Sequence, residues 1–501
     1  MTSGIGNRES GAECHSERRR GAPESRNPVS FRAERPQAAE SRNRDHRGRG
    51  APLPGRLRFL ITRFAGTRLG MTMALGMTAV FGATVQAQGP TYVIRGGTVV
   101  TVTGASIPNG TVVIQNGRIQ AVGANVQAPT GATAVDATGL FVYPGMIDAG
   151  TQLGLTEIGS VPGSEDTREI GDFNPQNVAL TAVNPHSELI PVTRVNGVTT
   201  VITSAEGGLM SGSAALMDLL GWTPDEMGVK PRAAMVMTYP SVGGGGGGGF
   251  GGGGFGQNQQ SAAERRETMN RQVRELRAFL ADARAYADVR SRAGGTSDAN
   301  APRVNQKMEA LIPVVRGEMP VIFDVNTADQ IRGVLALADS FKLKVIIRGA
   351  REAWTLADTL AARGIPVIVG PTTQAPGADD PYDMLYAQPG VLAKAGVKIA
   401  FQTSDAANSR NLPYNVALAT AYGLDSTEAI KSITINPAQI FGVADRYGSI
   451  EPGKVANVVV TTGDPLDVRS TVKHLFIRGM KVPLTDRHTE LYEQFRARPK
   501  P

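Results

Sequence analysis

The chain has 501 residues, 41% hydrophobic and 19% charged, which suits a large globular domain with a smaller companion. Its net charge of +7 would suggest a nucleic-acid or membrane partner, but residues 1–87 hold 15 Lys/Arg against 7 Asp/Glu, leaving −1 for the remainder. No basic binding face is therefore expected on the folded part, and the single cysteine, Cys14, argues against disulfides or a lipoprotein anchor there.

Residues 1–57 are rich in Arg, Ser, Pro and Glu and too poor in large apolar residues to build a core. They read as a disordered tail or translated upstream sequence; a nucleic-acid-binding arm is the sharper alternative. Residues 58–87 then combine Arg58, Arg63 and Arg68 with the apolar run MTMALGMTAVFGATV and a Val85-Gln86-Ala87 end, the pattern of a secretory signal peptide. The run is shorter than the roughly 20 residues of a membrane span. An exported, periplasmic or extracellular chain without a stable membrane anchor is expected.

From 88 to 143 the sequence reads as short β-segments punctuated by Gly-Gly and Asn-Gly hairpin signals. Residues 445–485 have the same texture, so both ends of the mature chain are expected to build one small β-sandwich, followed by a tail over 486–501. Between them, 144–444 alternates apolar runs with helical stretches such as TADQIRGVLALADSF. The strand candidates are YPGMIDAGT, TTVITS, AALMDLLG, AAMVMTYP, PVIFDVNT, KVIIRGA, PVIVGPTT and VKIAFQTSD, each nearly continuous in apolar residues as strands buried on both faces should be. Eight units favour an α/β fold of the TIM (β/α)8 type, with an open doubly wound sheet as the alternative. A glycine-rich insertion at 243–260 lacks the Gly-Lys-Ser/Thr of a phosphate loop and reads as a flexible segment or a lid. A charged helix follows over 261–292, with Glu264, Arg271, Arg274 and Glu275 on solvated faces.

The segment YPGMIDAGTQLGL at 143–155 closely resembles the first barrel strand of the amidohydrolase superfamily, whose pattern is P-G-x-I-D-x-H-x-H. The segments ITINPAQIFG, YGSIEPGKVANVVV and GDPL within 411–465 resemble that superfamily's C-terminal signature, and its imidazolonepropionase-like branch is the nearest match. The resemblance spans nearly all of 91–484. It implies the barrel-plus-sandwich fold, hydrolysis of non-peptide carbon–nitrogen bonds such as cyclic amides, and a divalent metal. Family members hold that metal through H-x-H on strand one, histidines ending strands five and six, and an aspartate ending strand eight. The ion would bring a bound water's pKa near neutrality, and the aspartate would accept its proton.

In this chain Gly150 and Gln152 stand at the H-x-H positions, Asp324 or Asn326 at the strand-five histidine, and Arg348 at the strand-six histidine. The strand-four candidate has no lysine. Asp405 alone keeps its family identity. The absence is robust to alignment, because beyond residue 87 only His186, His474 and His488 remain, too few for the usual site. Asp405 is thus the candidate base or a ligand for a hard cation; alternatively it is an ion-paired structural carboxylate. Arg348, permanently charged, is expected to stand in the metal's place and pair with Asp405, Asp324 or both, or else to reach solvent. No cofactor is expected by the usual pattern. A divalent ion held by oxygen ligands alone, from Asp148, Glu157, Asp324 and Asp405 with Gln152 nearby, is the one opening. Asp148 has a competing structural role in the family. Thr151, Thr403 and Ser404 offer hydroxyls at the mouth, with no Ser-His-Asp arrangement, since His186 is poorly placed. Arg410, Tyr414 and Asn415 either touch substrate or cap the following helix. Three roles follow: a hydrolase with a rebuilt site, a catalytically silent exported binding protein, or a structural subunit beside an active paralogue. The partners expected are a small molecule and another subunit, the same or different, and not nucleic acid.

Overall fold

The computed structural model describes residues 89–242, 261–292, 303–377 and 380–499. The leader (1–57), the signal segment (58–87) and the glycine-rich insertion (243–260) lie outside the described residues. Five strands come first: β1 (Tyr92–Val99), β2 (Ile107–Gln115), β3 (Arg118–Gly123), β4 (Thr133–Asp136) and β5 (Phe141–Pro144). Between β2 and β3, Asn116 and Gly117 both have positive φ (51° and 77°), the conformation that a two-residue hairpin turn requires.

Eight strands then form one nearly closed barrel sheet in sequential order. They are β6 (Met146–Thr151), β7 (Val198–Thr203), β8 (Met210–Asp218), β9 (Gly228–Thr238), β10 (Val321–Val325), β11 (Val345–Gly349), β12 (Val367–Val369) and β13 (Ile399–Phe401). These are the eight expected runs, but strict βα alternation needs correction. β8 runs antiparallel to both neighbours. Only residues 204–209 separate it from β7, too few for the helical crossover that a parallel neighbour demands.

Alternate residues of the strands divide between two apolar clusters. Ile147, Ile202, Val236, Ile322, Ile346, Ile368 and Ala400 fill the barrel interior. Val201, Met235, Val321, Phe323, Ile347, Val367 and Phe401 join the cluster containing the surrounding helices. Both faces are dry, which is why the strands read as continuous apolar runs. The charged helix Ala262–Arg292 contributes Leu276, Leu280, Ala283 and Ala287, spaced to bury one stripe.

At the seam between β13 and β6, Ser404 N–H donates to the Gly150 carbonyl at 2.9 Å. Asp148, fully buried, spans the same seam: it accepts from Thr403 Oγ1 (2.5 Å), Thr403 N (3.2 Å) and Gly150 N (3.0 Å).

Strands β14 (Val458–Thr461), β15 (Val472–Ile477) and β16 (Met480–Val482) complete the smaller unit. The two ends form one hydrogen-bonded sheet, in the order β16-β15-β14-β5-β1-β2-β3 with β4 also on β1. The expected small β-unit built from both ends is thus one hydrogen-bonded branched sheet, whose arms share the core of Ile94, Val112, Val142, Val458 and Phe476. The segment expected as a tail is instead helical over Arg487–Arg496, started by an Asp486–Thr489 capping box.

Because β8 runs backwards, its last residue, Asp218, lies at the barrel's lower end against the sheet. Its buried carboxylate accepts from Thr200 Oγ1 (2.9 Å), Asn457 Nδ2 (2.8 Å) and Tyr447 Oη (3.0 Å). Burial raises its pKa, and these donors and Arg478 oppose that rise. Asp218→Ala would orphan all three donors at the junction, and is expected to cost about 3–5 kcal/mol in urea unfolding. A loss below about 1 kcal/mol would show that water replaces the carboxylate.

Candidate functional site

Extending the inward register of each strand by two residues leads from the apolar layer to a polar one. Ile202 leads to Ser204, Val236 to Thr238, Ile322 to Asp324, Ile346 to Arg348, Ile368 to Gly370, and Ala400 to Gln402. All six of these polar-layer residues line a cavity of about 480 Å³ at the C-terminal ends of the parallel strands, where barrels of this kind carry their sites.

At its floor Arg348 and Asp324 pair in a fork. Nε donates to Oδ1 at 2.5 Å and Nη2 to Oδ2 at 2.8 Å, while Nη1 donates to Ser204 Oγ at 3.0 Å. Adjacent strands in register place the two residues side by side. Burial works to lower the Arg348 pKa, but Asp324 and Glu206 outweigh it and hold the guanidinium above its usual range. Glu206 itself pairs with Arg168 at the rim (3.4 Å).

The lining is charge-balanced, with Arg168, Arg348 and Arg351 against Asp172, Glu206 and Asp324. It also carries six carboxamides, Gln152, Gln272, Asn326, Gln374, Gln388 and Gln402, and no aromatic ring among the described residues. Carboxamides both donate and accept, so this surface suits an uncharged polar molecule better than an ion.

Of the expected site residues, Gly150, Gln152, Asp324, Asn326 and Arg348 all border the cavity, as do Thr151 and Ser404. Others are elsewhere, and their expected placement is corrected. Asp405 is turned out of the cavity: Asn408 N and Asn408 Nδ2 each donate to one of its oxygens at 2.7 Å. A carboxylate so engaged caps its own turn, and it forms no pair with Arg348. Thr403, 1% exposed, faces the seam and Asp148. Glu157 accepts from Asn184 Nδ2 at 3.2 Å, outside the lining.

Arg410 contacts the His488 ring at 2.9 Å, and neither it nor Tyr414 borders the cavity. Asn415 is buried and braces the loop after β12, its Oδ1 accepting from Thr372 N (2.7 Å) and Thr373 N (3.2 Å). His186 is exposed beside Trp222, and His474 lies on β15.

The donor set at the mouth does not fit the superfamily's metal. Zinc-type sites need imidazole or thiolate ligands, and the positions in question offer a glycine, a carboxamide and a guanidinium, which cannot ligate. The four oxygen candidates also fail to converge: Asp148 closes the seam, Glu157 and Asp405 face other turns, and Asp324 is held by Arg348. Among the described residues no three His, Cys, Asp or Glu side chains gather around one metal-sized point.

Gln402 was not among the residues singled out from sequence. Its Nε2 donates to the Gly370 carbonyl at 3.0 Å. Its Oε1 lies 2.5 Å from where a Cβ on residue 150 would stand, and Arg348 Cδ is 3.5 Å from the same point. Glycine at 150 thus gives up its side-chain space to Gln402 and Arg348. The signal that could have found Gln402 is its register, two residues beyond inward-facing Ala400.

The amidohydrolase family model matches residues 384–482. A 107-residue stretch is 34% identical to imidazolonepropionase from Picrophilus torridus, covering 20% of this chain and 27% of that protein. A 53-residue stretch is 51% identical to imidazolonepropionase from Porphyromonas gingivalis, covering 10% of this chain and 12% of that protein. The matched stretches thus span little more than a quarter of these relatives at most. Over a much larger share, the fold is similar to an amidohydrolase from Thermotoga maritima MSB8, at 27% identity and a TM-score of 0.68, covering 79% of this chain and all of that one. With the strand-one and C-terminal motifs, the barrel and the flanking sheet, the chain is thus similar to the amidohydrolase superfamily in fold, and in its matched stretches to imidazolonepropionases.

Proposed function

We propose that this protein binds a small, uncharged polar molecule at the barrel mouth, with the Arg348 guanidinium in the place where its relatives keep a divalent metal. The observation that carries this reading is the Arg348–Asp324 fork at the cavity floor, beside Gly150 and Gln152 at the usual metal-ligand positions. A guanidinium there supplies fixed positive charge and directed N–H donors, and can hold a carbonyl oxygen without a metal. It cannot ionise a bound water as a metal does, and Asp405, at the position of the family's catalytic aspartate, is engaged elsewhere. Binding is therefore favoured over hydrolysis.

The second reading is hydrolysis of a non-peptide carbon–nitrogen bond, favoured by likeness to the superfamily and similarity to proteins named imidazolonepropionase. Metal analysis with activity assays separates the two. The binding reading expects substoichiometric metal, a melting temperature unmoved by zinc, manganese or chelator, and no turnover of cyclic amides. Stoichiometric metal with chelator-sensitive amide hydrolysis would overturn it and establish the hydrolase.

A further inference from the structure

Gln402 is 6% exposed and borders the cavity. Because its Nε2 donates to the Gly370 carbonyl, the orientation of the carboxamide is fixed: only the NH₂ end can donate to that oxygen. Oε1 is therefore directed over Gly150, on the side of the carboxamide away from the Gly370 carbonyl. Beside it, Arg348 uses three of the five N–H donors of a guanidinium, leaving two. Gln402 and Arg348 thus border the cavity together, the one with a free acceptor and the other with N–H donors to spare, which a ligand entering it can meet.

We propose that Gln402 is the residue that sets specificity at the mouth, its Oε1 accepting an N–H from a ligand whose adjacent carbonyl oxygen accepts from Arg348. This rests on the reading of the mouth as a small-molecule site. The complementary group is a cis C(=O)–N–H edge, as in a lactam or ureide. Gly150 is part of the device, because any side chain there would displace Oε1. A site that pairs with an N–H disfavours the analogue lacking it, since its own acceptor is then covered by the ligand and left unpaired.

The test measures binding of 2-piperidone and N-methyl-2-piperidone to the full chain by ligand-observed NMR titration. Wild type is expected to favour the N–H lactam by about tenfold or more. Gln402→Leu, which keeps bulk but removes the acceptor, and Gly150→Ala, which displaces it from a different strand, should each abolish the preference while still binding weakly through Arg348. If wild type binds both lactams equally, or both variants keep the preference, the role of Gln402 is overturned while the mouth remains a binding site. If neither lactam binds wild type or Arg348→Met, the reading of the mouth falls and this proposal with it. Melting temperatures of both variants near wild type ensure that a lost preference reflects recognition; should Gln402→Leu unfold, Gly150→Ala decides.

Discussion

Replacing Asp324 by alanine should destabilise the protein by about 3–5 kcal/mol, whereas Arg348→Met should cost within about 1 kcal/mol. The asymmetry follows from exposure. The Arg348 side chain is 9% accessible and that of Asp324 32%. Losing the carboxylate strands a charge that cannot be discharged at any ordinary pH and has little access to water. Losing the guanidinium leaves a carboxylate that water can still reach, and methionine fills the stem's volume with apolar contacts. Glu206, close enough to stabilise Arg348 already, should recover part of the loss and hold Asp324→Ala near the lower end of the range. Urea unfolding of the two single variants and the double variant measures this directly. Equal costs would mean that the pair is solvated and does not organise the cavity floor. The double variant should be more stable than Asp324→Ala, because it removes the stranded charge.

The second large effect concerns pH. Burial pushes the Asp148 carboxyl up to about 7, against the hydrogen bonds from Thr403 and Gly150 that favour its charged form, from an ordinary 3.8. A folded pKa above the unfolded one means that the folded state binds the extra proton between those two values. The resulting stability is fully present below pH 3.8 and is lost as pH rises through about 7. The span corresponds to about 4 kcal/mol. Asp148→Asn keeps an acceptor for both backbone N–H groups and cannot titrate. The difference in unfolding free energy between wild type and variant should therefore shift by that amount between pH 4 and pH 8, in favour of the variant at the higher pH. A flat difference curve would show that water enters the seam and solvates the carboxylate. Glu451 and Asp467, both held near 2 by their hydrogen bonds, contribute alike to wild type and variant and so cancel in the difference.

Much of the site was legible because strand ends are legible. Asp324 and Arg348 each close an apolar run, and a barrel brings such ends together whatever the connecting helices do. That only three histidines follow residue 87 was also legible, by counting alone. Asp405 and Thr403 misled for a shared reason: FQTSD was read through its family aspartate, whereas pleat alternation from Ala400 points Gln402 inward and Thr403 to the seam. Asp405 lies past the strand, where a turn of its own claims it. The backward course of β8 was present in the six-residue connection at 204–209, but its all-apolar sequence resembles any strand buried on both faces.

By itself, then, the sequence determined the barrel of eight apolar strands, the β-rich segments that flank it and the scarcity of histidines, since each follows from apolar periodicity or composition, while the likeness to the amidohydrolase superfamily rested on its motifs. Only the tertiary structure decided which side chains meet at the mouth. That Arg348 takes Asp324 and not Asp405, and that Gly150 is empty because Gln402 crosses above it, depends on distances between strands far apart in sequence. Side-chain direction at a strand's end depends on register to the single residue, and a shift by one turns every group to the other face.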